Sequence, residues 1–230
     1  MIFKSNKKFY LVGISYKNAD LETRGRFNLN RTLSSQLLKR GQEKNFDDLF
    51  VLSTCNRTEL YAVANNSNEL IDLLCENSLG SKKVLKKLGY VMENQKAINH
   101  LFRVGAGLDS QILGDFEIIG QIKQSFSLAK NLSIKNFFIE RLLNLVIQAS
   151  KLIKNKTNIS SGAASLSFAS VQYIINNVKN ISEKKILLFG TGKIGRNTCE
   201  NLIKHTKNNH IYLINRTKEK AEKVAMKFNV

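Results

Sequence analysis

The stretch Lys184-Lys185-Ile186-Leu187-Leu188-Phe189-Gly190-Thr191-Gly192-Lys193-Ile194-Gly195 decides the fold of the second half of the chain. Its short apolar run, entered from two lysines, reads as a buried strand. The next six residues match G-x-G-x-x-G. A helical pattern follows from Arg196 to His205, and a second apolar run covers His210 to Ile214. Strand, glycine loop, helix and strand form the context that gives this otherwise weak string its meaning as a dinucleotide loop. Gly190 permits the tight turn, Gly192 lets backbone approach a pyrophosphate, and Gly195 lets the helix pack on the strand. Thr191, Lys193 and Ile194 complete the loop, whose N–H groups and helix dipole hold the anion.

The second strand ends in Asn215-Arg216-Thr217-Lys218. A site preferring NAD usually carries Asp or Glu there, to bond the ribose 2′-hydroxyl. An amide, a guanidinium and a hydroxyl suit a 2′-phosphate instead, so Asn215, Arg216 and Thr217 favour NADPH. The plainer alternative is a solvated turn in a basic protein. The sequence given ends at Val230, one helix later. A doubly wound domain buries its sheet with further strands, so apolar strand faces are expected to be exposed.

Upstream, residues 8–15 read as a strand and residues 31–40 as a helix entered from Asn28 or Asn30. Residues 48–54 and 59–64 read as strands joined by a short polar turn. Helical patterns cover 68–76, 81–88, 95–104, 116–130 and 135–156, with a loop at 105–115. Ser160-Ser161-Gly162 interrupts the pattern before a helix at about 164–178. The fold class is therefore α/β: an α+β domain over 1–158, then an incomplete Rossmann-like domain over 159–230, with the change near 158–163.

The charge balance is 36 Lys plus Arg against 18 Asp plus Glu, a net +18. Such an excess attracts polyanions, although the Lys, Asn and Ile content also fits an AT-rich coding bias. With 43% hydrophobic residues, the chain can build a packed core. There is no proline, so turns must use Gly, Asn, Asp and Ser. Three widely spaced cysteines suit neither a disulfide framework nor a zinc site, and no metal is expected. A reducing cytoplasm is the default compartment. No run is long enough to span a membrane.

Ser53-Thr54-Cys55-Asn56-Arg57-Thr58-Glu59 closes the first of those two strands and opens the second. A cysteine there is rigidly held, with turn N–H groups and the Arg57 charge nearby to favour a thiolate nucleophile. The bland alternative is a small buried apolar residue. This run resembles the catalytic segment of glutamyl-tRNA reductases. His100-Leu101-Phe102-Arg103-Val104-Gly105-Ala106-Gly107-Leu108-Asp109-Ser110, continuing through Gly114 to Gln121-Ile122-Lys123, resembles a second segment of that family. Ser165-Leu166-Ser167 and the glycine loop follow in the family's order.

The resemblance implies reduction of glutamyl-tRNA(Glu) by NADPH to glutamate-1-semialdehyde, through a thioester on Cys55, as the first step of tetrapyrrole synthesis. It implies Thr54, Asn56 and Arg57 in a glutamate pocket, with Arg57 on the γ-carboxylate. Ser110, Asp115, Phe116, Glu117 and Gln121 are the other implied substrate contacts. His100 is the implied activity-critical histidine, aiding proton transfer or orienting the ester. The family commonly has Gly-Glu-Pro where this chain has Gly114-Asp115-Phe116, a shorter acid in a looser loop. The resemblance further implies a homodimer, made through a C-terminal domain that this sequence lacks, and the downstream aminomutase as a partner. Two other readings stand beside it. One is an NADP enzyme like shikimate dehydrogenase, which shares Asn-Arg-Thr. The other is a non-catalytic remnant or basic nucleic-acid-binding module.

Overall fold

The structure, a computed structural model, describes residues 7–46, 48–115, 117–132, 137–157, 159 and 166–230. The chain folds as two compact units, Met1–Thr157 and Asn158–Val230.

In the first unit, β1 (Lys8–Ser15), β2 (Leu49–Ser53), β3 (Arg57–Ala64) and β4 (Tyr90–Glu93) form an antiparallel sheet ordered β2-β3-β1-β4. Successive side chains alternate between its faces. Tyr10, Val12 and Ile14 pack against α2 (Arg31–Glu43) and α3 (Ser67–Glu76) through Leu37, Leu38, Leu70 and Leu74. Phe9 and Leu11 pack oppositely, against α5 (Gln95–Gly105) and α7 (Phe137–Lys156) through Leu101, Val104, Leu143 and Val146. With both faces covered, the central strands are buried at nearly every position. α6 (Glu117–Asn131) packs along the edge strand β2 and joins the two cores, with Ile118 and Ile122 in one and Ala129 in the other.

Three elements of this unit answer to short-range signals. Asn30 caps α2 by accepting from Leu33 N–H at 2.9 Å, and Asn66 and Ser81 cap α3 and α4 (Lys82–Leu88) likewise. Two further elements lack apolar periodicity, although Asp20 caps the first of them by accepting from Thr23 N–H at 2.7 Å. α1 (Leu21–Phe27) buries only Phe27, and β4 alternates between half-buried and exposed residues. Both exist because β1 offers a partner surface. Asn45, Asn180 and Asn229 take positive φ, the left-handed turn role that a chain without proline gives to asparagine.

In the second unit, β5 (Ile186–Phe189) and β6 (Ile211–Ile214) pair in parallel across α9 (Lys193–Thr206). Leu188 and Ile211 meet Cys199 and Leu202 of α9 and Val171 of α8 (Leu166–Asn177). α10 (Lys218–Phe228) closes the order. Leu187, Phe189, Tyr212 and Ile214 on the other face are exposed, Phe189 to 79%, as the sequence leads one to expect. The break at Ser160-Ser161-Gly162, Ser165 and most of the 158–163 boundary lie outside the described residues. No helix among the described residues is long and apolar enough to cross a membrane, and these residues contain no cluster suited to a metal ion.

One long-range cap ties the sheet to α7. The Asp48 carboxylate, just before β2, accepts from Phe138 and Ile139 N–H, each at 3.1 Å. These are first-turn donors that the helix itself leaves unpaired. Asp48→Ala is expected to cost about 1–2 kcal/mol, read as a lower urea midpoint. Asp48→Asn, which keeps an acceptor, should lose less. Equal midpoints for all three proteins would exclude this capping role.

Candidate functional site

The turn between β2 and β3 is pinned on every side. Thr54 N–H donates to the Arg57 carbonyl at 2.8 Å. The Thr54 hydroxyl oxygen accepts from Asn56 and Arg57 N–H, each at 3.2 Å. Tyr16 N–H donates to the Asn56 carbonyl at 2.9 Å. The Ser53 hydroxyl accepts from Leu29 N–H at 2.9 Å and lies 3.0 Å from both Asn28 Oδ1 and Thr58 Oγ1. On this rigid tip Cys55 is exposed, whereas Cys75 is half-buried and Cys199 buried. Burial pushes the Cys75 and Cys199 thiols up, which leaves them poor nucleophiles.

Cys55 borders a cleft of about 530 Å³. Residues 28–31 and Ser34, from the α2 entry, form one wall. Ser53 and Thr54 lie beside Cys55, and Gln124, Ser125, Ser127 and Leu128 of α6 complete the lining. Of the described residues expected to touch substrate, Thr54 lines this cleft; Asn56, Arg57, Ser110, Asp115, Glu117 and Gln121 do not. Asp115 accepts from Glu117 N–H at 2.9 Å and so shapes the start of α6. Ser110 N–H reaches the Gly107 carbonyl at 3.4 Å within the loop. Phe116 lies outside the described residues.

Beneath the turn lies a buried charge network that the sequence reading did not assign. Glu59, 0% exposed, accepts on Oε1 from Arg57 Nη1 at 2.8 Å, Tyr90 Oη at 2.5 Å and His100 Nε2 at 2.8 Å. Its Oε2 accepts from Tyr61 Oη at 2.7 Å. Burial alone would raise the Glu59 pKa, but the His100 bond, the Arg57 charge and the Tyr90 bond bring it from 4.5 to about 2. Burial and the Glu59 charge push Tyr61 and Tyr90 up, so both stay protonated donors. Arg57 is held charged; burial, the largest single effect, works against this, and the attraction of Glu59 and the neighbouring tyrosines with the Glu59 hydrogen bond together outweigh it.

Arg57 is 3% exposed, with Nη1 on Glu59 and Nη2 on the Asp109 carbonyl. Its charge is partly offset by a buried carboxylate. His100 is 8% exposed. Because ionised Glu59 can only accept, Nε2 carries a proton. Nδ1 faces Asp109 Oδ2 at 3.6 Å. Asp109 in turn meets Lys17 at 2.8 Å and Arg103 at 3.2 Å. Burial opposes its ionisation, yet the Lys17 bond and the cations lower its pKa. The available sequence signal was a glutamate followed by the apolar run Leu60–Ala64 of the same strand, with a histidine on an amphipathic helix downstream.

In the second unit, Gly190 takes φ +94°. A Cβ on Gly195 would collide with the Gly190 carbonyl, whereas one on Gly192 would meet nothing within 4 Å. That open space leaves the loop backbone accessible to a ligand. The Thr191 hydroxyl is buried and has no hydrogen-bond partner. Beside it is a cleft of about 470 Å³, reached by Arg196, Arg216, Lys220 and Lys223. Asn215 Oδ1 accepts from Thr191 N–H at 3.3 Å and its Nδ2 donates to the Thr217 carbonyl at 2.9 Å, tying the two loops together. An orphaned donor, an open glycine and four cations without a carboxylate fit a dinucleotide carrying an extra phosphate. Lys193 and Ile194 do not line this cleft.

Residues 12–157 match the family model for the N-terminal domain of glutamyl-tRNA(Glu) reductase. Residues 172–230 match the shikimate/quinate 5-dehydrogenase model. The chain is 59% identical over 224 residues to the glutamyl-tRNA reductase of Christiangramia forsetii, covering 97% of this chain and 54% of that protein. It is 61% identical over 222 residues to that of Flavobacterium psychrophilum, covering 96% and 54%. The solved structure of glutamyl-tRNA reductase from Methanopyrus kandleri superposes with a TM-score of 0.65 at 25% identity, covering 96% of this chain and 52% of that one. The chain thus spans about half the length of the curated relatives it matches.

The depressed Glu59 pKa makes a pH prediction. Its folded value lies below the unfolded one, so its stabilisation is complete above pH 4.5 and is lost as pH falls towards about 2. Glu59→Gln should flatten the stability–pH curve in that window, measured by urea unfolding at stepped pH. The Asp109 share of the slope would persist. Glu59→Ala, which strands Arg57, should cost about 3–5 kcal/mol at neutral pH. An unaltered acid slope in Glu59→Gln would contradict the assignment.

Proposed function

The chain belongs to the glutamyl-tRNA reductase family, and from that premise we propose that it takes the glutamyl group of glutamyl-tRNA(Glu) onto Cys55 for reduction with NADPH to glutamate-1-semialdehyde, the entry to tetrapyrrole synthesis. The observation that carries this reading is an exposed thiol on a pinned turn, bordering a cleft. Sγ attacks the ester carbonyl. The S–C bond forms, the C–O bond breaks, and the thiol proton ends on the ribose hydroxyl of the released tRNA. The acyl group is then a thioester. Sulfur donates weakly into the carbonyl, so this carbon accepts a hydride more readily than an ester carbon does.

The first unit, 1–158, is the substrate unit in this proposal and the second, 159–230, the NADP unit. Thr54, Asn56, Arg57, Ser110, Asp115, Phe116, Glu117 and Gln121 are the proposed glutamate contacts, with Arg57 on the γ-carboxylate, and His100 is proposed to aid proton transfer or orient the ester. NADPH, bound over Gly190, Thr191 and Gly192 with its 2′-phosphate near Arg216, supplies the hydride. The net charge of +18 supports a polyanionic substrate. The dehydrogenase match of the second unit supports a shared cofactor fold. The reductase match of the first unit, with Cys55 at its strand end, favours the glutamyl-tRNA reading over a shikimate-type substrate.

Labelled glutamyl-tRNA should acylate the parent chain and not Cys55→Ser, a loss of about 10²-fold or more. Cys55→Ser releasing glutamate at the parent rate would overturn the covalent reading. In a separate titration, Arg216→Ala should weaken NADPH binding about tenfold and leave NADH unchanged. Equal effects on both nucleotides would remove the 2′-phosphate contact.

A further inference from the structure

The cleft beside Cys55 meets only part of what a glutamyl group requires, a cation for its γ-carboxylate but no carboxylate for its ammonium. Its single cation is Arg31, at the exposed start of α2, and it contains no carboxylate. Amides and hydroxyls supply most of the rest. Several are already engaged, since Asn28 and Ser53 bond each other and Asn30 caps α2. Gln124 and Ser125, adjacent on α6, sit in the opposite wall, and Leu29 and Leu128 add apolar surface. The volume, about 530 Å³, falls within the usual range for a small organic ligand. An ester presents two halves to its nucleophile, the acyl group and the alcohol, which diverge from the carbonyl carbon. The proposed acyl contacts, apart from Thr54, do not line this cleft.

We propose that this cleft seats the alcohol half of the ester, the 3′-terminal nucleotide of the charged tRNA, with Arg31 on its phosphate and Gln124 and Ser125 on its base or ribose. A phosphodiester carries one negative charge, which one guanidinium matches. A neutral nucleoside needs amide and hydroxyl partners and an apolar wall for its base. When Sγ displaces the ribose oxygen, the leaving hydroxyl departs into this seat. The inference rests on the acyl-transfer reading above.

The test compares two esters on the full chain: glutamyl-tRNA, and glutamate ethyl ester, which has no nucleotide. Acylation of Cys55 is followed by intact-protein mass. In Arg31→Ala and Gln124→Ala, both changes at exposed positions, the ratio of the rate on glutamyl-tRNA to that on the ethyl ester should fall about tenfold. Adenosine 5′-monophosphate should slow alkylation of Cys55 in the parent and do so less in Arg31→Ala, whereas inorganic phosphate should not protect. An unchanged rate ratio in both variants, with the parent still acylated, overturns the cleft assignment alone. A parent chain that neither ester acylates overturns the acyl-transfer reading and this inference with it.

Discussion

A buried carboxylate cannot stand alone, and around Glu59 the first unit satisfies that constraint. Tyr61, Tyr90, Arg57 and His100 all donate to it. These donors come from β3, β4 and α5, so a single anion ties two strands and a helix together. Arg57 and Tyr16 then extend the network to the Asp109 carbonyl, which anchors the loop after α5. An ion pair at such depth is costly to desolvate and contributes little net stability over an apolar pair. Its return is geometric, because few alternative packings could satisfy the same five groups.

That geometry is delivered to the β2–β3 turn. Arg57 and Thr58 directly follow the turn, and the strand pairing of Ser53 with Thr58 and of Ser15 with Arg57 fixes its two ends. A nucleophile gains from being held where its substrate will arrive, since the entropy of positioning is then already lost before binding. Cys55 is exposed because its neighbours, not the cysteine, make the contacts. His100 and Arg57 meet on Glu59 beneath this rigid tip.

The second unit handles its ligand by a different device. The glycine loop contributes absence: open space at Gly192 and close helix approach at Gly195. Asn215 bridges this loop to the turn after β6, so the two loops are fixed relative to each other within one unit. The buried, unpartnered Thr191 hydroxyl is left available to a ligand or a water.

Much of this was legible in the residues. Apolar runs of strand length, Asn and Ser before helical patterns, and the glycine spacing all act over a few residues, and the sequence by itself determined these elements and the fold class. Cys55 was legible as a candidate because its place at a strand end is local. α1 and β4 were not, since neither has enough apolar periodicity and each depends on a surface that β1 provides. Only the tertiary structure decided that Glu59 meets His100, 41 residues away in the sequence, that His100 in turn faces Asp109, and that Gln124 faces Asn28 across the cleft. The physical reason is range. Backbone propensity and capping are settled between near neighbours, whereas a buried charge finds its partners, and a cleft its walls, only when distant segments are packed together.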